Sequence, residues 1–180
     1  MNGCDKTMSS NVENLVIKSQ KGDTAAFGEL YELYSKDMYR FAFYYTGSSA
    51  VAEDCVSEAV LIAFNKIGEL KNILSFKSWL FRILRNCCAE AFRKSSRETA
   101  SEKMLSGVHS FEDEENEKIS LKKALMKLPE EERELIILHY CMGYTSKDIS
   151  RMLIMNENTV RSKISRGTQK LKRELVNDGE

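Results

Sequence analysis

The chain has 180 residues, and its 27 Lys and Arg balance 27 Asp and Glu, so the formal net charge is zero. This balance excludes a polycationic tail, and a hydrophobic content of 42% excludes wholesale disorder. One Pro and nine Gly are too few for an all-β fold, in which turns recur about every 8–12 residues. The sequence has neither an apolar stretch of roughly 18–20 residues nor a signal-peptide core. We therefore expect a reduced, cytoplasmic, all-α protein without membrane insertion.

The first dozen residues have the composition of a loose tail, and helical spacing follows. Apolar residues recur at i, i+3, i+4 and i+7 over residues 27–45, and Gly47 breaks the pattern. A second helix is predicted after Ser48 and a third from near Ser75. The predicted buried face of the second helix consists of Ala52, Cys55, Val56, Ala59 and Ala63.

Charge is segregated along the chain. Residues 76–97 contain six basic side chains and one acidic one, and residues 158–173 contain six basic and no acidic side chains. Two basic segments of this kind can meet phosphate. The stretch from about Ser95 to Lys118 is rich in Ser and Glu and reads as a flexible linker. The predicted organisation is two small helical domains, with a tail and the start of the first helix over 1–22, domains over 23–95 and 119–178, and a linker over 96–118.

The residues that start and end helices are clearer in the second predicted domain. Pro129 suits the start of a helix, and Leu135, Ile136 and Tyr140 are expected on its buried side, up to Gly143. Thr145 with Asp148 matches a capping box that opens a short helix. Asn156 can cap a longer one, whose expected buried positions are Val160, Ile164, Gly167, Leu171 and Leu175.

A short capped helix, a tight turn and a longer helix with one apolar and one basic face form the helix-turn-helix design. Arg can bind guanine or phosphate, and Ser can bond to several bases. The alternative is an ordinary helical hairpin with a solvated basic face. The candidate DNA-contacting side chains of the second helix are Arg161, Ser162, Ser165 and Arg166, with Lys170 extending the charge.

Two motif sets resemble a known family. One set resembles region 4 of the sigma factors of bacterial RNA polymerase and consists of the runs Leu128-Pro129-Glu130, Gly143-Tyr144-Thr145, Asn158-Thr159-Val160-Arg161-Ser162 and Ser165-Arg166-Gly167. The other set resembles region 2 and consists of the runs Ala26-Phe27, Leu30-Tyr31, Ala52-Glu53-Asp54, Trp79-Leu80 and Arg85-Asn86. Both sets, in this order and with a short linker, resemble the extracytoplasmic-function (ECF) group over roughly residues 20–175.

The resemblance implies a promoter-directing factor whose partners are core RNA polymerase, through its clamp coiled coil and flap, and promoter DNA. A base flipped out of the melted −10 strand would be held by the loop over residues 68–75, and unstacking it costs a few kcal/mol. The implied −10 contacts are Leu70, Arg82, Arg85, Asn86 and Arg93. The implied polymerase-docking residues are Asp54, Ser57, Glu58 and Leu61.

In the second domain, the resemblance implies that Arg161, Ser162, Ser165 and Arg166 enter the −35 major groove. His139 stands where the family often has an Arg against the DNA backbone, and a mostly neutral His weakens that contact. An anti-sigma partner is a further expectation. Two positions depart from the family pattern. Ile154 replaces a common Gly in the turn, which then needs either strain or a negative φ, and Ser57 replaces the usual Gln.

Other functional classes fit less well. Two His, no phosphate-binding Gly loop and no clustered ligands argue against an enzyme, a metal, a cofactor or a small-molecule substrate. Cys87 and Cys88 are expected to be small core residues. A helix-turn-helix regulator that binds duplex DNA without replacing a sigma subunit is the alternative function.

Overall fold

The computed structural model describes the backbone of residues 3–102 and 116–177, and the side chains of residues 11–94 and 121–176. Across these residues the chain is helical and contains no strand. The predicted all-α fold is therefore confirmed. The helices are α1 (Gly3–Gln20), α2 (Thr24–Thr46), α3 (Ser49–Lys66), α4 (Phe76–Glu102), α5 (Asn116–Met126), α6 (Glu130–Ile136), α7 (Ser146–Leu153) and α8 (Glu157–Asn177).

None of the described helices is both long enough and apolar enough to cross a bilayer.

Helix boundaries in the N-terminal half follow its capping residues. The Asp23 side chain accepts a 3.0 Å hydrogen bond from the Ala26 amide at the start of α2. Gly47 ends α2 in the left-handed region at φ 74°. Ser48 then caps α3 by accepting from the Val51 amide. The predicted break at Gly47 and the predicted helix after Ser48 are confirmed.

The core of this half is built on the small-residue face of α3. All five residues predicted for that face are buried, and they let α2 and α4 approach closely. Aromatic side chains fill the space between α2 and α4, with the rings of Phe41 and Phe81 meeting edge to face at 6.1 Å. Cys55, Cys87 and Cys88 are buried free thiols, as expected of core residues.

The predicted lengths of two irregular segments, the N-terminal tail and the linker, are wrong. α1 begins at Gly3, so most of the expected loose tail is helical. α4 continues to Glu102 and α5 begins at Asn116, which shortens the predicted linker at both ends. Residues 103–115, the rest of that linker, lie outside the described residues. Apolar periodicity indicates burial rather than helix formation, and Arg, Glu and Ala favour helix without it.

The C-terminal half consists of α5–α8 with one irregular turn. Pro129 precedes α6, and Glu130 begins its first turn. After α6 the backbone forms a π-helical turn over Ile137–Cys141. Leu135 and Ile136 are buried as predicted, but Tyr140 is 59% exposed. The prediction for Tyr140 fails because a π turn shifts the 3.6-residue periodicity on which it rested.

The capping box that opens α7 is confirmed. Thr145 accepts from the Asp148 amide, and the Asp148 carboxylate accepts from the Thr145 amide. α7 ends at Leu153, and the next residue, Ile154, has φ 55° and ψ 48°. A β-branched residue in this left-handed conformation is strained by roughly 1–2 kcal/mol. The turn is therefore made with strain at Ile154, one of the two outcomes left open by the sequence.

The two halves pack against each other through α2, α4 and α6. The Tyr45 hydroxyl donates a 2.7 Å hydrogen bond to Glu130 Oε1. Arg133, buried on α6, donates from Nη1 to the Tyr45 carbonyl oxygen at 3.1 Å. Residues of both halves belong to one continuous hydrophobic cluster. This contact could not be predicted from the sequence, because its partners lie more than eighty residues apart.

Candidate nucleic-acid interface

α8 separates its apolar and polar faces sharply. Its buried residues Val160, Ile164 and Gly167 face the rest of the C-terminal half. The four predicted DNA-contacting residues are exposed on the opposite side and form two adjacent i, i+4 pairs: Arg161 with Ser165, and Ser162 with Arg166. A helix that presents such a face at its N-terminal half has the form that enters a major groove.

Local contacts orient the two arginines of this face. Arg161 Nη2 lies 2.5 Å from Glu157 Oε1, one turn earlier on α8. Arg166 Nε donates to the Ser162 carbonyl oxygen at 3.4 Å. Both arginines keep their guanidinium groups at the surface, where phosphate or base edges can replace these weak exposed partners.

Two lysines of α8 instead tie it to α6. Lys170 Nζ lies 2.8 Å from Glu132 Oε2, and Lys163 pairs with Glu131. Gly167 lies between them, where a Cβ would come within 3.2 Å of Ile136 Cγ1. Lys170, a predicted DNA contact, is therefore already paired. DNA would have to share its half-exposed side chain with Glu132.

His139 is held by the chain that follows the π turn. Its Nδ1 lies 2.8 Å from the Tyr144 carbonyl oxygen. A carbonyl oxygen only accepts, so Nδ1 carries the proton in this contact. The neighbouring Tyr140 is exposed, and its hydroxyl oxygen accepts from Thr168 at 3.3 Å. Tyr140 thus joins this surface, a role that sequence reasoning missed by assigning it to the core.

A second polar face runs along α4. Arg82, Asn86 and Arg93 are exposed at i, i+4 and i+11, which places them in one row. Arg93 Nε donates to the Ala89 carbonyl oxygen at 3.0 Å. Arg85, predicted for the same face, is turned toward α6, where its Nε lies 2.8 Å from Glu134 Oε1. The structure therefore brings three of the four polar candidates of α4 together and engages the fourth elsewhere.

The segment between α3 and α4 corrects the prediction for Leu70. Its side chain is buried in the core, and its carbonyl oxygen accepts from Gln20 Nε2 at 2.9 Å. Leu74 is instead 75% exposed, after an Asn72 side chain that accepts from the Leu74 amide. Helical periodicity does not extend through two short 3-10 turns, so the sequence could not say which leucine faces out.

α3 presents an acidic face with an apolar edge. Asp54, Ser57 and Glu58 are exposed, and Leu61 is 63% exposed one turn further on. Phe64 extends the apolar edge, although its ring also meets Phe27 edge to face at 5.1 Å. Exposed leucine and phenylalanine beside carboxylates form a surface suited to a protein partner.

Comparison with protein-family models identifies both halves. Sigma-70 region 2 matches residues 30–98, and Sigma-70, region 4 matches residues 118–171. The chain is 33% identical to the ECF RNA polymerase sigma factor BldN of Streptomyces coelicolor, over 94% of this chain and 68% of that protein. It is 30% identical to the ECF RNA polymerase sigma factor SigM of Mycobacterium tuberculosis (strain Erdman), over 92% of this chain and 85% of that protein.

Solved structures agree on the fold. The sigma factor RpoE of Bartonella quintana, crystallised with the anti-sigma factor NepR, aligns with a TM-score of 0.69 and 27% identity over 83% of this chain and 96% of that one. CnrH, solved with the cytosolic domain of CnrY, aligns with a TM-score of 0.74 and 21% identity over 93% and 99%.

A helical protein with region 2 before region 4 is a sigma factor of the sigma-70 family. The chain belongs to the ECF group of that family. It therefore directs RNA polymerase to promoters and initiates transcription. A regulator that leaves the sigma subunit in place would have no need of region 2, and this alternative is not favoured.

Proposed function

We propose that the exposed faces of α8, α4 and α3 divide the work of promoter recognition. α8 binds the −35 duplex, α4 binds the melted −10 strand, and α3 docks on the polymerase. The observation that carries this proposal is the pattern of α8, where Arg161 and Arg166 are exposed while Val160 and Ile164 are buried.

On the −35 side, Arg161, Ser162, Ser165 and Arg166 reach base edges, and His139 and Lys170 contact the backbone. Base contacts specify sequence, whereas phosphate contacts mainly position the protein. A bidentate arginine–guanine pair contributes about 1–3 kcal/mol of discrimination. Each phosphate contact on duplex DNA steepens the fall of log affinity with log salt by about 0.9.

On the −10 side, the row formed by Arg82, Asn86 and Arg93 tracks the single strand. Asn86 is the candidate for reading a base, because its amide can both donate and accept. Leu74, exposed just before α4, replaces Leu70 as the apolar side chain that contacts an unstacked base. Arg85 belongs to this surface once its contact with Glu134 is broken.

The polymerase contact is assigned to Asp54, Ser57, Glu58 and Leu61 on α3, with region 4 meeting the flap. Carboxylates at the rim steer a basic partner, and the exposed leucine supplies apolar area at the centre. Acting through these contacts in the cytoplasm, the protein is a binding factor rather than an enzyme. It needs no cofactor, metal or small-molecule substrate.

The relative crystallised with NepR supports one further partner. The Bartonella quintana protein was crystallised with its anti-sigma factor bound. We extend this to the present chain, which would bind an anti-sigma factor.

The test is promoter-specific transcription reconstituted with core RNA polymerase, with the start site mapped. Arg166→Ala should lower transcription from the mapped promoter about 5- to 160-fold, which corresponds to a lost base contact of about 1–3 kcal/mol. Lys123→Ala, which removes an exposed cation from α5, is the matched control and should leave transcription unchanged. Equal losses on all DNA sequences would assign Arg166 to phosphate instead.

A further inference from the structure

The end of α1 is fixed against the core of the N-terminal half. Leu15 and Val16 are buried there, and the buried Ser19 hydroxyl donates to the Leu15 carbonyl oxygen at 2.7 Å. These contacts hold Gln20, the last residue of α1, beside the segment between α3 and α4. Sigma-70 region 2 matches residues 30–98, so Gln20 lies outside the residues that match the family model.

The Gln20 side chain binds this segment at two points. Its Nε2 donates to the Ile67 carbonyl oxygen at 3.0 Å and to the Leu70 carbonyl oxygen at 2.9 Å. A glutamine amide nitrogen carries two hydrogens, so both donors are used. Ile67 is the first residue of the first 3-10 turn, and Leu70 follows the turn directly. We call this pair of hydrogen bonds the Gln20 clamp.

The clamp supplies partners that the backbone of this segment needs. Carbonyl groups at the end of an α-helix have no acceptor role left within the helix, and the hydrogen bonds of 3-10 turns have poorer geometry than those of α-helices. The first 3-10 turn contains one such bond, from the Leu70 amide to the Ile67 carbonyl oxygen at 3.2 Å. Gln20 therefore fixes a segment that its own hydrogen bonds hold weakly. Both bonds of the clamp are partly buried, where a hydrogen bond is stronger than in water.

The exposed Leu74 lies shortly after the clamp. On the other side of Leu74, the Asn72 side chain accepts from the Leu74 amide at 3.2 Å, and the Ser75 hydroxyl donates to the Asn72 carbonyl oxygen at 2.6 Å. α4 then begins at Phe76. The 75% exposed side chain of Leu74 is thus held between two fixed points, the clamp to α1 and the start of α4.

We propose that Gln20 is a positioning residue for −10 recognition: the Gln20 clamp sets where Leu74 meets an unstacked base, and thereby which bases are accepted. This inference rests on the proposed contact between Leu74 and a base of the −10 strand. Such a contact depends steeply on distance, because a gap of about 0.5–1 Å forfeits a quarter to a half of the dispersion attraction. Loss of the clamp should therefore reduce discrimination between bases. The docking residues of α3 and the −35 residues of α8 take no part in the clamp.

The test is base preference in transcription reconstituted with core RNA polymerase. A library of the mapped promoter carries each base in turn at every −10 and −35 position, and transcripts are counted by sequencing. The preference at a position is the ratio of transcripts from the best base to transcripts from the worst base. Leu74→Ala first marks the −10 positions at which this ratio depends on Leu74.

Gln20→Glu breaks the clamp and keeps the shape of the side chain, because a carboxylate cannot donate. Asn14→Asp is the matched control, since it makes the same change from amide to carboxylate at an exposed position of α1. We expect Gln20→Glu to lower the preference about tenfold at the positions marked by Leu74→Ala, and Asn14→Asp to leave it unchanged. Preferences at the −35 positions should be the same in both variants. An unchanged −10 preference, or an equal loss of transcripts from every member of the library, would overturn the proposal.

A measurement without DNA checks the clamp itself. Hydrogen–deuterium exchange over residues 67–75 should be faster in Gln20→Glu than in Asn14→Asp, because the segment loses its attachment to α1. Equal exchange in the two variants would overturn the proposal. If Gln20→Glu loses its helical circular dichroism, Gln20→Asn decides, since its amide is one methylene shorter and cannot reach both carbonyl oxygens. Gln20→Asn should then lower the −10 preference, and an unchanged preference would overturn the proposal.

Failure of the proposed function gives a different result. If Leu74→Ala changes the preference at no −10 position, Leu74 does not contact a base, and the proposed contact is overturned together with the role of Gln20. If Leu74→Ala changes the preference and Gln20→Glu does not, only the role of Gln20 is overturned.

Discussion

Met126 of α5 lies directly against Gly47 at the end of α2, so that a Cβ on Gly47 would come within 2.8 Å of Met126 Sδ. Gly47 also has φ 74°, a backbone angle that residues other than Gly rarely adopt. One glycine therefore serves two purposes: it ends α2, and it lets the C-terminal half approach the N-terminal half.

Gly47→Ala should lower the thermal stability of the chain. The left-handed backbone costs alanine roughly 1–2 kcal/mol, and displacement of Met126 adds to this. Gly22→Ala is the matched control, because Gly22 has φ 92° but nothing near its Cβ position. Thermal unfolding followed by circular dichroism should show a larger loss for Gly47→Ala. Equal losses would mean that Met126 moves aside freely.

Ile154→Gly should stabilise the protein. Ile154 has φ 55° and is 82% exposed, so its replacement relieves backbone strain without loss of packing. Relief of roughly 1–2 kcal/mol, less the entropy that glycine loses on folding, leaves a net gain of about 0.5–1 kcal/mol. Urea unfolding measures the gain.

Ile154→Asn serves as a second variant, because asparagine tolerates the left-handed region better than β-branched residues do. It should raise stability in the same direction. Met155→Gly, at an adjacent residue that packs on the core, should lower stability. A loss with both Ile154 variants would contradict the strain argument.

Reversing the acidic face of α3 should abolish docking on the polymerase. Asp54→Lys combined with Glu58→Lys places two cations where a basic partner is expected, and like charges across an interface cost several kcal/mol. Affinity for core polymerase should fall at least about 100-fold while helical content stays constant. Glu29→Lys with Glu32→Lys makes the same change on an exposed face of α2 and is the control. Retained binding by the α3 variant would exclude this docking face.

Closure of the two halves should depend on pH through Glu134. Its pKa is raised by burial, which outweighs the lowering by Arg85, and Glu130 and Glu131 on α6 add to the rise. Tyr45 of α2 lies in the same electrostatic field, and Arg133 of α6 interacts with Tyr45 and Glu130. The closed state therefore binds this proton more tightly than the open state does. Closure gains stability as pH falls toward the ordinary glutamate value of 4.5 and loses it as pH rises through the raised pKa.

Small-angle scattering across this range checks the direction. The radius of gyration should increase as pH rises above the ordinary glutamate value of 4.5. Glu134→Gln, which keeps the side-chain shape but cannot titrate, should lose most of this dependence. A radius that decreases as pH rises would show that the attraction of Arg85 outweighs burial.

Local sequence signals were sufficient for most of the helical order. Helix caps act within one or two turns of the chain, so their effects can be predicted without tertiary structure. Examples are the Asp148 carboxyl three residues after Thr145, and Gly47 after an amphipathic run. The buried face of α3 and the exposed face of α8 follow from periodicity for the same reason. The extension of α4 to Glu102 was missed because this signal reports burial rather than helix itself.

The two regions and the surfaces that their helices present could be predicted from residue patterns alone, because capping and amphipathic spacing are local. Which cations can act depends on how the two halves pack. Arg82 is exposed, whereas Arg85, three residues away, is paired with Glu134 from the other half. Packing between elements distant in sequence sets the partner of a charged side chain, and one turn of a helix separates solvent from a buried contact.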